Sequence, residues 1–289
     1  MLAAPSHPPA HPFFLDAAPG RRFCLYHRPR GEVLGAVLQV PAFGEEMNKA
    51  RRMCALQARL LAEQGYGVLQ IDLYGCGDSD GDFRDARWEI WKSDLQAALF
   101  WLRRECPGSM HLWALRLGAL LALDCARDAG DIERMLLWQP VSEGAAYLTQ
   151  FLRLRLAADM LHTAAGEGGE SGGGKQRGGT EALRKTLEQG ISLEIAGYEL
   201  APQLAFAIDA LDLARLPAPS CAIDWFEIVP SSARAPAPGR ARLIRHCGQA
   251  GWRIRNHVVE APAFWASQEI VEAPGLLAAS VAALQAHCA

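Results

Sequence analysis

Seven short apolar runs alternate with stretches of helical periodicity along this chain, and few folds accommodate that alternation. The runs are RRFCLYHRP (21–29), GAVLQVPAF (35–43), YGVLQIDLYG (66–75), MHLWAL (110–115), RMLLWQPV (134–141), PSCAIDWFEIV (219–229) and WRIRNHVVEAP (252–262). The later runs are almost continuously apolar, as strands covered on both faces are. Between them, Met53, Leu56, Leu60 and Leu61 recur at helical spacing, as do Trp91, Leu95, Ala98, Leu99 and Leu102, and then Leu277, Val281 and Leu284. Strand and helix in alternation predict an α/β fold, a mostly parallel, doubly wound sheet, with 21–29 as an antiparallel edge strand. At 289 residues, half of them hydrophobic, the chain has material for one large core.

One segment breaks the alternation. Residues 143–204 carry helix-like patterns around Leu148, Leu152, Leu156 and Met160 and again around Leu183 and Leu187, joined by the glycine-rich GEGGESGGGKQRGG (166–179). The expected organisation is a flexible tail over 1–20, a core from 21–142 and 205–289, and a helical lid inserted at 143–204 with a disordered tether at 166–179. Such a lid would lie over the carboxyl ends of the strands, where open α/β sheets place their ligands.

Composition excludes several classes. A net charge of −3 without a long basic run offers no electrostatic footprint for nucleic acid. The eight cysteines are scattered with no C-x-x-C pair, so neither a metal site nor a disulfide framework is expected, and no cofactor motif is present. The proline-rich start lacks the basic and apolar regions of a signal peptide, and no apolar run approaches the ~20 residues of a membrane span. A cytoplasmic protein is expected.

The stretch LLAEQGYGVLQIDLYGCGDSDGDF (60–83) matches a strand-and-loop signature through Leu61, Ala62, Gly65, Tyr66, Val68, Asp72, Gly75, Gly77, Ser79 and Gly81. By these residues the chain resembles the α/β-hydrolase superfamily, well over 21–142 and loosely over 205–289. PAFGEEMNKARR (41–52), GYELAP (197–202) and FWASQEIVEAPGL (264–276) are similar more narrowly to the type 2 exosortase A system-associated hydrolases, bacterial proteins encoded near exopolysaccharide and protein-sorting genes.

The resemblance implies a nucleophile, a histidine base, an acid and an oxyanion hole, and the sequence supplies them poorly. The elbow pattern G-x-S-x-G falls on Ala114, Leu115, Arg116, Leu117 and Gly118, so an arginine stands at the nucleophile position. A guanidinium cannot be deprotonated and cannot accept an acyl group. Cys76 and Ser79, on a loop at the same sheet edge, are alternative nucleophiles. The histidine position falls on Phe264 or Trp265, with Phe264 preferred, while His246 and His257 read as ordinary helix and strand residues. Glu227 is the best acid candidate and Asp224 the second. The backbone N–H groups of Phe43 and Leu117 are the remaining oxyanion donors, since backbone donors survive side-chain change.

Arg116 therefore has two possible roles. It is either a plug paired with Glu45, Glu46, Asp78 or Glu227, or one side of an anion site, to which Arg153 and Arg155 of the insertion could add charge. The expected ligand-binding set is Phe43, Gly44, Glu45, Glu46, Arg116 and Leu117. Two functions follow. One is a non-catalytic protein that binds a small acyl or anionic ligand, or a protein of an exosortase or exopolysaccharide system. The other is an esterase or thioesterase with a rebuilt site.

Overall fold

A computed structural model describes residues 10–164, 179–231 and 238–286. Its main sheet has eight strands: β1 (His11–Asp16), β2 (Arg21–His27), β3 (Gly35–Val40), β4 (Tyr66–Ile71), β5 (Ser109–Leu115), β6 (Ile132–Trp138), β9 (Ala222–Val229) and β10 (Arg253–Glu260). Their order is β1-β2-β4-β3-β5-β6-β9-β10. From β4 to β10 all neighbours are parallel, whereas β2 runs antiparallel to both β1 and β4.

Each apolar run of the sequence holds a strand, and helices cover both faces. On one face α1 (Glu45–Glu63) and α8 (Pro274–Gln285) pack Met53, Leu61, Leu276 and Leu284 against Val37, Trp113, Trp138 and Phe226. On the other, α2 (Trp88–Glu105) and α3 (Gly118–Ala129) pack Trp91, Leu95, Leu99, Leu120 and Leu121 against Leu38, Leu112 and Leu137. The alternation of strand residues between the two faces produces these two cores.

Two expectations need correction. The run at 21–29 is antiparallel but not the edge, because residues 11–16 of the expected tail form β1 outside it. Phe13 stacks on Trp101 at 4.5 Å and Phe14 meets Phe23 edge-on at 5.7 Å, so this short strand has aromatic anchors that its proline-rich surroundings obscured. The segment between β6 and β9 is also not purely helical. It contains α4 (Gly144–Ala164), α5 (Gly179–Glu188), a hairpin of β7 (Leu193–Ile195) and β8 (Tyr198–Leu200), and α6 (Pro202–Asp209), so the expected boundary at 204 falls inside α6. Leu148, Leu152, Leu183, Leu187, Leu204 and Ile208 of this segment join the main core. The expected tether at 166–179 lies outside the described residues but for Gly179.

The turn from β5 into α3 is tight. A Cβ on Gly118 would stand 2.2 Å from the Pro41 carbonyl oxygen, a backbone atom at the end of β3 that cannot swing away. Gly118→Ala is expected to cost about 1–3 kcal/mol by overpacking, read as a lowered urea midpoint at unchanged slope. A neutral substitution would show that α3 can slide along the sheet.

Candidate ligand site at the strand-to-helix elbow

Arg116 directly follows β5, with Leu117 between it and α3, and its backbone has φ of 57°, a left-handed conformation that costs a non-glycine residue about 1–3 kcal/mol. Hydrogen bonds hold it there. Arg116 N–H donates to the Trp138 carbonyl at 3.0 Å, and the Arg116 carbonyl accepts from Ala119 and Val141. The next parallel strand ends the same way, since Gln139 after β6 has φ of 42° and its side-chain oxygen accepts from the Ile228 N–H at 2.6 Å. Two strained residues thus sit side by side at the carboxyl end of the sheet.

The elbow aims the Arg116 side chain at α1. Its Nε lies 3.2 Å and its Nη2 3.2 Å from Oε1 of Glu46 in the first turn of that helix. The Tyr147 hydroxyl, from α4, donates to Oε2 of the same carboxylate at 3.0 Å. The guanidinium lies over the Trp265 ring at 5.3 Å and the Tyr147 ring at 5.8 Å from the centroids. Arg116 and Glu46 keep side-chain exposures of only 15% and 21%, so each charge depends on the other. Burial pushes the Glu46 carboxyl above the usual range, with Arg116 and Tyr147 pulling against it, and burial together with Glu46 holds the Tyr147 phenol protonated far above neutrality.

Of the other expected ligand residues, Phe43, Gly44 and Leu117 line one small pocket, and Glu45 does not. Glu45 is turned away toward Asn48 and Tyr198. Phe43 is buried among Phe83, Trp91, Tyr147 and Phe151, Gly44 caps α1 beneath Phe151, and the Leu117 side chain is in the core. Glu227, near the carboxyl end of β9, pairs not with Arg116 but with Arg240 of α7 (Pro238–Gln249), at 3.1 Å. Asp78 lies on the glycine loop, where its N–H donates to the Asp72 carboxylate. Arg155 turns to Asp159 and the Glu194 carbonyl, and Arg153 is exposed.

At the histidine position the roles divide. Phe264 turns down into the core against Trp138, and Trp265 is the residue whose ring meets the elbow. Asp224 does contact a histidine, His257, at 2.7 Å, but its carboxylate also accepts from Arg134 and Arg255, and the pair lies within the strands. In register, Leu115, Trp138, Phe226 and His257 form one row across β5, β6, β9 and β10. Three strand spacings, roughly 14 Å, therefore separate His257 from the elbow, with Trp138 and Phe226 between them. His246, in the last turn of α7, faces the Ala214 carbonyl.

The alternative nucleophiles are disarmed. Ser79 Oγ donates to the Asp72 carbonyl at 2.5 Å and accepts from the Phe23 N–H at 2.9 Å, which ties the loop to β2. Burial, with Asp72 and Asp94 nearby, pushes the Cys76 thiol far above neutrality, so it carries negligible thiolate. The groups positioned around Arg116 are thus a guanidinium, a paired carboxylate, a protonated phenol and an indole. They form no nucleophile–base pair.

Sequence reasoning missed Tyr147 and Arg240. Nothing in their local sequence distinguishes a tyrosine or an arginine on a helix from a solvated one; only the packing of α4 and α7 over the strand ends brings them in. Arg116, Arg240, Tyr147, Gln150 and residues 140–143 line a cleft of about 170 Å³ beside the elbow. Among the described residues, no group of histidine, cysteine and acidic side chains is arranged to hold a metal, and no helix is long and apolar enough to cross a membrane.

Strand order, the elbow and the glycine loop define the α/β-hydrolase fold, and solved structures agree. The chain is similar to Est1E from Butyrivibrio proteoclasticus with ferulic acid bound, at 15% identity and a TM-score of 0.62 over 96% of this chain and 97% of that one. It is similar to a proline iminopeptidase from Mycobacterium smegmatis, at 14% identity and a TM-score of 0.58 over 96% and 98% of the two chains. An esterase from Pyrococcus furiosus matches at 13% identity and a TM-score of 0.58 over 96% and 90%. No protein-family model matches the chain, and no curated protein matches it in sequence.

Proposed function

We propose that this protein keeps the α/β-hydrolase fold without serine-hydrolase catalysis and uses the strand ends to bind a ligand or a protein partner. The observation that carries the reading is Arg116 at the elbow, held on Glu46 and Tyr147 and faced by Trp265. The segment 143–204 would act as a lid, since Tyr147 and Tyr198 reach from it to α1. The resemblance of 41–52, 197–202 and 264–276 to exosortase-associated hydrolases supports a cytoplasmic role in an exopolysaccharide or sorting system.

A rebuilt esterase or thioesterase is the second reading, favoured by the intact elbow geometry and by esterases among the structures of the same fold. A serine-reactive fluorophosphonate probe separates the two, and the wild type is expected to remain unlabelled. Arg116→Ser is expected to show no esterase turnover above background, because Trp265 and Phe264 supply no base for the new hydroxyl. In subtilisin, removal of the nucleophile costs about 10⁶ in turnover. Rapid ester hydrolysis by Arg116→Ser would mean that a working base survives, and labelling of the wild type would sink the non-catalytic reading.

A further inference from the structure

We propose that the cleft beside the elbow is a small-oxyanion site, taking a carboxylate or phosphate group between the guanidinium groups of Arg116 and Arg240. This rests on the reading of the strand ends as a binding site and names its ligand class. The two arginines come from separate elements, one from the elbow after β5 and one from the first turn of α7, and both line the same cavity. Each is already held in place. Arg116 is clamped through Nε and Nη2 by Glu46, and Arg240 forms an ion pair with Glu227, lies 5.1 Å from the Trp225 ring centroid and donates from Nη1 to the Pro140 carbonyl at 3.2 Å.

These contacts take the Nε–Nη2 edge of Arg116, and Nε and Nη1 of Arg240. Arg116 Nη1 has only a contact of 3.5 Å, at the limit of a hydrogen bond, to the Gln139 carbonyl. Arg240 Nη2 has no partner among the described residues. The guanidinium groups thus present donors to the cleft from positions fixed by packing, at little further entropic cost. The Arg240 side chain is 18% exposed, and Arg116 acts on it by repulsion, as two like charges across a small cavity do. An anion between them relieves that repulsion and accepts charge-assisted bonds from both. A volume of about 170 Å³ is about ten times the ~10–15 Å³ that a single water needs by the same measure, and it admits a small oxyanion. Glu143 also lines the cleft, but it is exposed and its charge is screened by solvent.

Titration calorimetry with inorganic phosphate and with acetate, against chloride at matched ionic strength, tests the site. Saturable binding of one oxyanion is expected, and which one binds identifies the phosphate or the carboxylate class. Arg116→Gln is expected to weaken it at least tenfold. Arg240→Gln combined with Glu227→Gln removes the second cation without stranding a buried carboxylate, and the same loss is expected while the fold is kept, as checked by circular dichroism. Affinity unchanged in the double variant, or no saturable binding of either anion to the wild type, overturns the proposal. That failure leaves the non-catalytic reading standing, because the latter falls only to probe labelling or ester turnover.

Discussion

Asp94→Ala is expected to lower the free energy of unfolding by about 3–5 kcal/mol, because it strands a fully buried guanidinium. Asp94 on α2 lies 2.7 Å from Nε of Arg22 on β2, and neither side chain is exposed. Its second oxygen accepts from the Tyr74 N–H at 2.9 Å, which fixes the start of the glycine loop. Arg22 also donates to the Pro19 carbonyl at 2.6 Å and stacks over Tyr74, so its position is set by several elements and it cannot easily reach water. Removing the carboxylate leaves a charge in a low-dielectric interior, whereas Arg22→Met with Asp94→Leu replaces the pair by apolar volume and is expected to cost much less. Urea unfolding of the single and double variants measures both. A single-variant loss below about 1 kcal/mol would mean that Arg22 escapes to solvent.

A comparable loss, about 3–5 kcal/mol, is expected for Asp224→Ala. The Asp224 carboxylate is the common acceptor for Arg134 at 2.5 Å, Arg255 at 2.6 Å and His257 at 2.7 Å, and the Arg134 side chain is only 4% exposed. Burial alone would raise the carboxyl, but the bonds from Arg255, His257 and Arg134 outweigh it and hold Asp224 below its ordinary 3.8. The native state therefore binds this proton more weakly than the unfolded chain does. The resulting stabilisation is complete above the ordinary value and is lost as pH falls through the lower folded value. In an acid titration of stability, Asp224→Asn should lack that part of the acid limb. An acid limb identical to the wild type's would show that Asp224 titrates normally in the fold.

The cluster around Asp224 also shows why a residue's place in the chain is a poor guide to its partners. Asp224 and His257 are an acid and a histidine on the two strands where a hydrolase carries its acid and base, yet the strand order sets Asp224 two spacings and His257 three spacings from the elbow strand. Glu227, three residues further along β9, reaches the strand end and pairs with an arginine from the following helix. A shift of one residue along a strand reverses the face, and a shift of three changes both face and level.

Local sequence determined the α/β class, the seven strands of the apolar runs, the elbow with Arg116 at its apex and the glycine loop closed by Asp72. These depend on period, on turn residues and on backbone geometry within a few positions, all of which a linear chain displays. Tertiary structure alone decided the rest. It placed β1 outside β2, chose Glu46 rather than Glu45, Asp78 or Glu227 as the partner of Arg116, and chose Trp265 rather than Phe264 to face it. It also brought Tyr147 and Arg240 to the cleft from helices distant in sequence. The physical reason is that an ion pair or a ring contact is selected by where packed elements leave a side chain, and no residue type or local spacing encodes that position.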